Sequence, residues 1–252
     1  MDGVLADMDA ALARIAEQEF GGSAKTPSGG LPSTSLRSGK PPGHKGRKAD
    51  EEKDGEKGGD ENQGPPPGYE AAVLSALSAR QQTRLWQRVR ETRNFWETLG
   101  ECEPGTVRRI QKLAHELRWD VLFVTQRPSS AGRTPQLQSQ HWLRRHGFEY
   151  PAVYTTQGSR GRIAASLTLD AHIDDRLDNC VDVASESKAW PILVWRDAES
   201  FDRIRAGATN LAIAVVGTVG EALDRIEQAD RAASQQEQPT LLDRLRRAFK
   251  AS

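Results

Sequence analysis

The chain has 252 residues, room for one large domain or for a core with a small cap. Its 35 basic and 35 acidic residues cancel, so no global field draws it to nucleic acid or to an anionic membrane. Two cysteines, Cys102 and Cys180, with no CxxC and no Cys/His metal spacing, exclude a disulfide framework and fit a reducing cytoplasm.

Residues 7–20 read as a helix: Met8, Leu12, Ile15 and Ala16 recur at helical spacing, and Gly21-Gly22 ends it. An acidic N-terminus without an apolar run argues against a signal peptide. From 21 to 68 the composition turns to Gly, Pro, Ser and mixed charge, too polar to offset its ordering entropy, so a disordered insertion is expected there. Its basic residues, Arg37, Lys40, Lys45, Arg47 and Lys48, offer nucleic acid a contact, but a solvated linker is the plainer reading.

Residues 69–99 read as amphipathic helix, broken by Pro104-Gly105, with a second helix from Thr106 carrying Val107, Ile110, Ala114 and Leu117 on one face. The apolar run 121–124 ending in Thr125 reads as a buried parallel strand. A helix over 134–146 stops at Gly147. Further strands are expected at 153–154, 171–173, 192–195 and 211–216, with helices over 160–167, 179–186, 198–205 and 218–228. Strands alternating with helices predict an α/β fold. The longest apolar run, 211–216, is far too short to span a bilayer. At the end, Leu241, Leu242, Leu245 and Phe249 mark a short amphipathic helix over 240–249. It docks on the domain edge or, through Arg244, Arg246 and Arg247, lies on a membrane surface.

Ligands of open α/β sheets bind beyond the carboxyl ends of the strands. Here those ends carry Thr125, a hydroxyl donor, and the adjacent carboxylates Asp174-Asp175. The loop Thr156-Gln157-Gly158-Ser159-Arg160 adds a guanidinium and backbone N–H groups at a helix start, where anions bind well. Asp2 stands in Met1-Asp2-Gly3-Val4-Leu5-Ala6-Asp7, leading into the first helix. Singly, each residue has a plainer explanation: Asp174-Asp175 as a helix cap, Arg160 as a surface cation. Their order, each after a strand, is what points to a phosphate and Mg²⁺ site built of hard oxygen ligands.

That order resembles the haloacid dehalogenase-like (HAD) phosphohydrolase superfamily: Asp-Gly-Val-Leu-Ala-Asp, then Phe-Val-Thr, then a basic residue opening a helix, then Ile-Asp-Asp. Within it the chain is most similar to the 5′(3′)-deoxyribonucleotidase branch, through Asn94-Phe95-Trp96-Glu97-Thr98-Leu99 before Pro104-Gly105, Trp142-Leu143, and Ile173-Asp174-Asp175-Arg176. The resemblance implies a Rossmann-like parallel sheet with helices on both faces, a small helical cap, Mg²⁺ and a phospho-aspartyl intermediate. On this pattern residues 1–20 open the core, 21–68 is the insertion, 69–103 the cap, 104–230 the α/β core and 231–252 a linker and helix.

By resemblance Asp2 is the catalytic general acid/base, Thr125 and Arg160 bind phosphate, and Asp174 and Asp175 bind Mg²⁺. Arg160 stands where the family usually has Lys. Phe95 and Trp96 either line the substrate by stacking on a base or pack within the cap. The pattern sets the nucleophilic Asp one residue before Met1, at the end of a central strand that this sequence lacks. The expectation is therefore a protein with roughly ten more residues ahead of Met1, including a strand of about five or six that ends in Asp, with Met1 an internal methionine. The function implied is hydrolysis of a small phosphate ester, a nucleotide being the first guess. The alternative is an inactive HAD-like protein that binds a phosphorylated ligand or a protein partner. No stable nucleic-acid binding and no membrane span are expected.

Overall fold

Short apolar strands alternating with amphipathic helices build the molecule, which a computed structural model describes over residues 1–21 and 72–237. The insertion expected from 21 to 68 (Gly21 apart) and the helix expected over 240–249 lie outside the described residues. Among those described, no helix is long and apolar enough to cross a membrane.

Asp7 closes a two-residue strand, β1 (Ala6–Asp7), and its carboxylate accepts Ala10 N at 2.9 Å, capping α1 (Met8–Phe20). Met8, Ala11, Leu12 and Ala16 turn inward at the three- and four-residue spacing of one helix face. The single helix predicted from 69 to 99 is instead broken twice. α2 (Ala72–Ser75) and α3 (Ala79–Glu91) are separate because Ser78 and Gln81 form a reciprocal capping box, Gln81 N to Ser78 Oγ and Ser78 N to Gln81 Oε1. After α3, Asn94 adopts a left-handed φ of 53° and leads into a 3-10 turn, Phe95–Glu97. β2 (Gly100–Glu101) then pairs antiparallel with β1.

The remaining elements alternate: α4 (Thr106–Leu117), β3 (Leu122–Thr125), α5 (Pro135–Arg145), β4 (Ala152–Thr155), α6 (Arg160–Ser166), β5 (Ala171–Asp174), α7 (Leu177–Glu186), β6 (Trp190–Val194), α8 (Phe201–Thr209), β7 (Ala214–Val216) and α9 (Val219–Glu237). Two predicted boundaries are corrected. α8 begins at Phe201 rather than 198, because the Asp197 carboxylate takes Glu199 N and the Ser200 hydroxyl, holding those residues in a local turn. The run from 211 does not enter β7 until Ala214, since Ala212 sits at φ 54° and Leu211 is half exposed.

The parallel strands form two sheets rather than one. β3 pairs with β4, and β5-β6-β7 form the other sheet. Among the described residues no strand pairs with both β3 and β5. Accordingly β6 is buried along most of its length, whereas Ala171, His172 and Ile173 of β5 are only half-buried. Helices cover both faces of the larger sheet. Ile192 and Val194 of β6 point into the main core with Val219, Ala222 and Leu223 of α9; Leu193 points the other way, against Cys180 of α7 and Ala208 of α8. The architecture is an open, mixed α/β arrangement with small parallel sheets. The residues assigned to a cap do not stand apart: Leu85, Trp86, Val89, Phe95, Trp96 and Leu99 share one core with Val107, Phe123 and Trp142.

Glu103 ties the start of α9 to Arg196. Its carboxylate accepts Val219 N at 2.9 Å and Gly220 N at 3.2 Å at the start of α9, and Arg196 Nη2 at 2.7 Å. Burial raises its pKa, but the Val219 and Arg196 hydrogen bonds outweigh burial and hold it below 4.5. Glu103→Ala is expected to cost about 1 kcal/mol, near the low end for a helix cap because the carboxylate is partly exposed. A folded pKa below the unfolded one places this stabilisation above about pH 4.5 and removes it as pH falls through the folded value. Urea denaturation of both proteins at pH 7 and pH 3 checks this; a difference that persists undiminished at pH 3 contradicts it.

Candidate functional site

The first residues fold back on themselves at the carboxyl ends of both parallel sheets. Leu5 N and Ala6 N donate to Met1 O at 2.8 and 3.0 Å, and Gly3 N donates to Ala6 O at 3.0 Å. This turn needs glycine at position 3. Its φ is +74°, and a Cβ there would stand 1.8 Å from Asp175 Oδ2. On one side Met1 N reaches Val124 O of β3 at 3.4 Å. On the other, Arg196, just beyond β6, donates to Gly3 O at 2.5 Å and Val4 O at 3.1 Å.

The closed turn aims Asp2 at the end of β3. Thr125 Oγ1 donates to Asp2 Oδ2 at 3.1 Å. Arg127 grips the same carboxylate through Nε, at 2.9 and 3.1 Å to its two oxygens, and through Nη2 at 2.5 Å. The Arg127 side chain is 0% exposed and that of Asp2 12%. Behind Arg127, Nη1 donates to Ser139 Oγ at 2.9 Å, and the Trp96 ring centroid lies 5.1 Å from the guanidinium carbon. Burial pushes the Asp2 pKa up, but the adjacent Arg127 charge and hydrogen bonds pull it below 3.8.

The end of β5 holds two carboxylates in unlike surroundings. Asp174 accepts Arg176 N at 2.9 Å and Asn179 Nδ2 at 3.1 Å to each oxygen, and His172 Nε2 lies 3.3 Å from its Oδ2. Burial opposes ionisation of Asp174, but the His172 and Asn179 contacts prevail and keep its pKa low. Asp175 is raised instead, first by burial and then by the neighbouring Asp174 charge, with Asp2 adding to it. Among the described residues no other residue donates a hydrogen bond to the Asp175 carboxylate. A carboxylate so placed, beside Asp174 and facing Gly3, fits a hard divalent cation such as Mg²⁺. Among the described residues no three His, Cys, Asp or Glu side chains are gathered closely enough to hold an ion outright. The carboxylates of Asp2 and Asp174 are turned to protein donors.

Arg160 is buried at the first turn of α6, its Nη1 donating to Gly158 O at 3.2 Å. Burial lowers its pKa; the attraction of Asp174 opposes that, and Arg176 adds to the lowering. The free helix-start donors predicted around it are a correction. Asp182 Oδ2 accepts both Gly161 N and Ser159 Oγ at 2.8 Å, and Ser159 Oγ accepts Arg162 N at 3.0 Å, so α6 is already capped. Phe95 and Trp96 are 3% and 0% exposed and pack edge to face at 5.0 Å, so they are core rather than a face offered to a base.

Of the predicted residues, Asp2, Thr125, Asp174 and Asp175 thus gather around one turn, with Arg160 within electrostatic reach of Asp174. From sequence alone Arg127, Arg196 and His172 carry no assigned role, and Gly3 none beyond its place in the opening motif. The signal for Arg127 was the Thr-x-Arg spacing, which sets alternate residues of an extended segment on one side. No known protein family, curated protein or solved structure matches the chain.

Gly3→Ala is expected to destabilise the protein by about 1–3 kcal/mol through its left-handed backbone alone, and by more if Asp175 cannot move aside. A urea midpoint unchanged from the parent would contradict the close approach of this turn to Asp175.

Proposed function

We propose that this chain is the core of a Mg²⁺-dependent phosphomonoester hydrolase of the HAD type, with a Rossmann-like sheet and a nucleotide as the first substrate to try. The observation that carries the reading is the meeting of Asp2, Thr125, Asp174 and Asp175 at the carboxyl ends of β3 and β5, from three separate parts of the sequence. Free thiols at Cys102 and Cys180 suit a cytoplasmic setting.

In this reading Asp175 and Asp174 would hold Mg²⁺, which would supply positive charge against the phosphoryl oxygens. Thr125 Oγ1 donates to one phosphoryl oxygen and Arg160 supplies positive charge from the α6 side. Asp2 protonates the leaving oxygen and later takes a proton from water.

The second reading is a non-catalytic relative that binds a phosphorylated ligand or a protein partner. The Arg127 grip on Asp2 favours it, since a carboxylate held ionised has no proton to give.

The test is hydrolysis of an aryl phosphate, with and without Mg²⁺, by the chain as it stands and by a version with a roughly six-residue apolar strand ending in Asp joined ahead of Met1. The extended protein is expected to be active only with Mg²⁺, and Asp2→Asn within it to be slower by at least about a hundredfold. Inactivity of the extended, folded protein on aryl and nucleoside monophosphates would favour the second reading.

A further inference from the structure

Building on the phosphate chemistry proposed above, we propose that Arg127 is the phosphoryl-binding cation of this site. The Asp2 carboxylate holds its place in the resting protein until a phosphate monoester displaces it. The Arg127 guanidinium is fixed from behind by Ser139 and by the Trp96 ring, and Ser139 is itself anchored by donating to Pro135 O at 2.7 Å. What remains of the fork, Nε and Nη2, faces one group, the Asp2 carboxylate. A planar two-nitrogen edge of this kind matches a phosphoryl group as well as a carboxylate. Thr125 Oγ1 points at the same carboxylate, completing a set of donors around one anion.

Asp2 is also the movable partner. Arg127 is fully enclosed, whereas Asp2 is the more exposed of the two and sits on a turn whose only side-chain-free position, Gly3, follows it directly. By contrast the predicted cation, Arg160, donates to a backbone carbonyl, and the N–H groups of its helix start are taken by Asp182 and Ser159. Exchange of a monoanionic carboxylate for a phosphate dianion on a fixed buried cation is favourable electrostatically. It also frees Asp2, so the acid/base is released where and when a phosphoryl group has docked.

The experiment is binding of inorganic phosphate, followed by ³¹P NMR, to the full chain and to the Asp2→Asn, Arg127→Lys and Arg160→Met variants. Asp2→Asn removes the internal competitor and is expected to bind phosphate about fivefold tighter or more. Arg127→Lys is expected to weaken binding by a similar factor, through loss of the two-nitrogen edge, and Arg160→Met, which removes only a more distant charge, to weaken it less. In the unaltered protein, which sidesteps any folding defect, the Arg127 Nε–H resonance should move with added phosphate and that of Arg160 should not. Asp2→Asn binding no tighter than the parent, or an Arg127 resonance that ignores phosphate, overturns the proposal. Binding lost only in Arg160→Met overturns it while leaving the hydrolase reading intact. That reading stands or falls separately on the aryl phosphate assay.

Discussion

The ion pair between Asp2 and Arg127 joins the first residues of the chain to β3, in the smaller of the two parallel sheets among the described residues. Its neighbours set the resting geometry: Thr125 adds a hydrogen bond to the carboxylate, Ser139 and Trp96 fix the guanidinium, and Gly3 lets the backbone turn beneath Asp175. Arg196 makes the matching joint on the side of the larger sheet, holding the carbonyls of Gly3 and Val4 while Glu103 holds Arg196. Losing one partner of a buried pair leaves an uncompensated charge and costs about 3–5 kcal/mol. Against a total stability of about 5–15 kcal/mol for a domain, this turn is a structural element as much as a functional one.

The same joints sort the carboxylates by environment. Asp2 is kept ionised by a cation, Asp174 by three donors of its own segment, and Asp175 is left with burial and like charge against it. Separating the proton affinities of neighbouring acids in this way is how one site assigns them different tasks. A cation beside Asp175 relieves the least satisfied of them, and an anion on Arg127 releases the most tightly held. In the proposed reading, phosphate and metal would each answer an electrostatic demand already present among these side chains.

Much of the fold was legible because apolar runs bounded by Gly and Pro carry their own period. Residues 121–124 and 171–173 read as strands and lie within one residue of β3 and β5, and Val107 and Ile110 marked the buried face of α4. The break at Ser78 was written as Ser-x-x-Gln but was masked by apolar residues on either side of it. The late start of α8 depended on Asp197 and Ser200 satisfying each other locally, a contest that periodicity does not register. The β1–β2 pairing joins residues far apart in sequence through two positions each, too few for any pattern. At the site, the order of Asp2, Thr125 and Asp174-Asp175 was readable because each follows or precedes a strand. Arg127 was not, since one arginine beyond a strand ordinarily lies in water. Phe95 and Trp96 were ambiguous, because two adjacent aromatics look the same in sequence whether they pack in a core or stack on a ligand.

The most direct measurement is a crystal structure grown with Mg²⁺ and tungstate, a heavy phosphate mimic whose position is read from anomalous scattering. The arrangement requires tungstate between Thr125 and Arg127, with the Asp2 side chain moved off the guanidinium and a metal on Asp175. Tungstate bound away from Thr125 and Arg127, or Asp2 still paired with Arg127 at saturating tungstate, would contradict it.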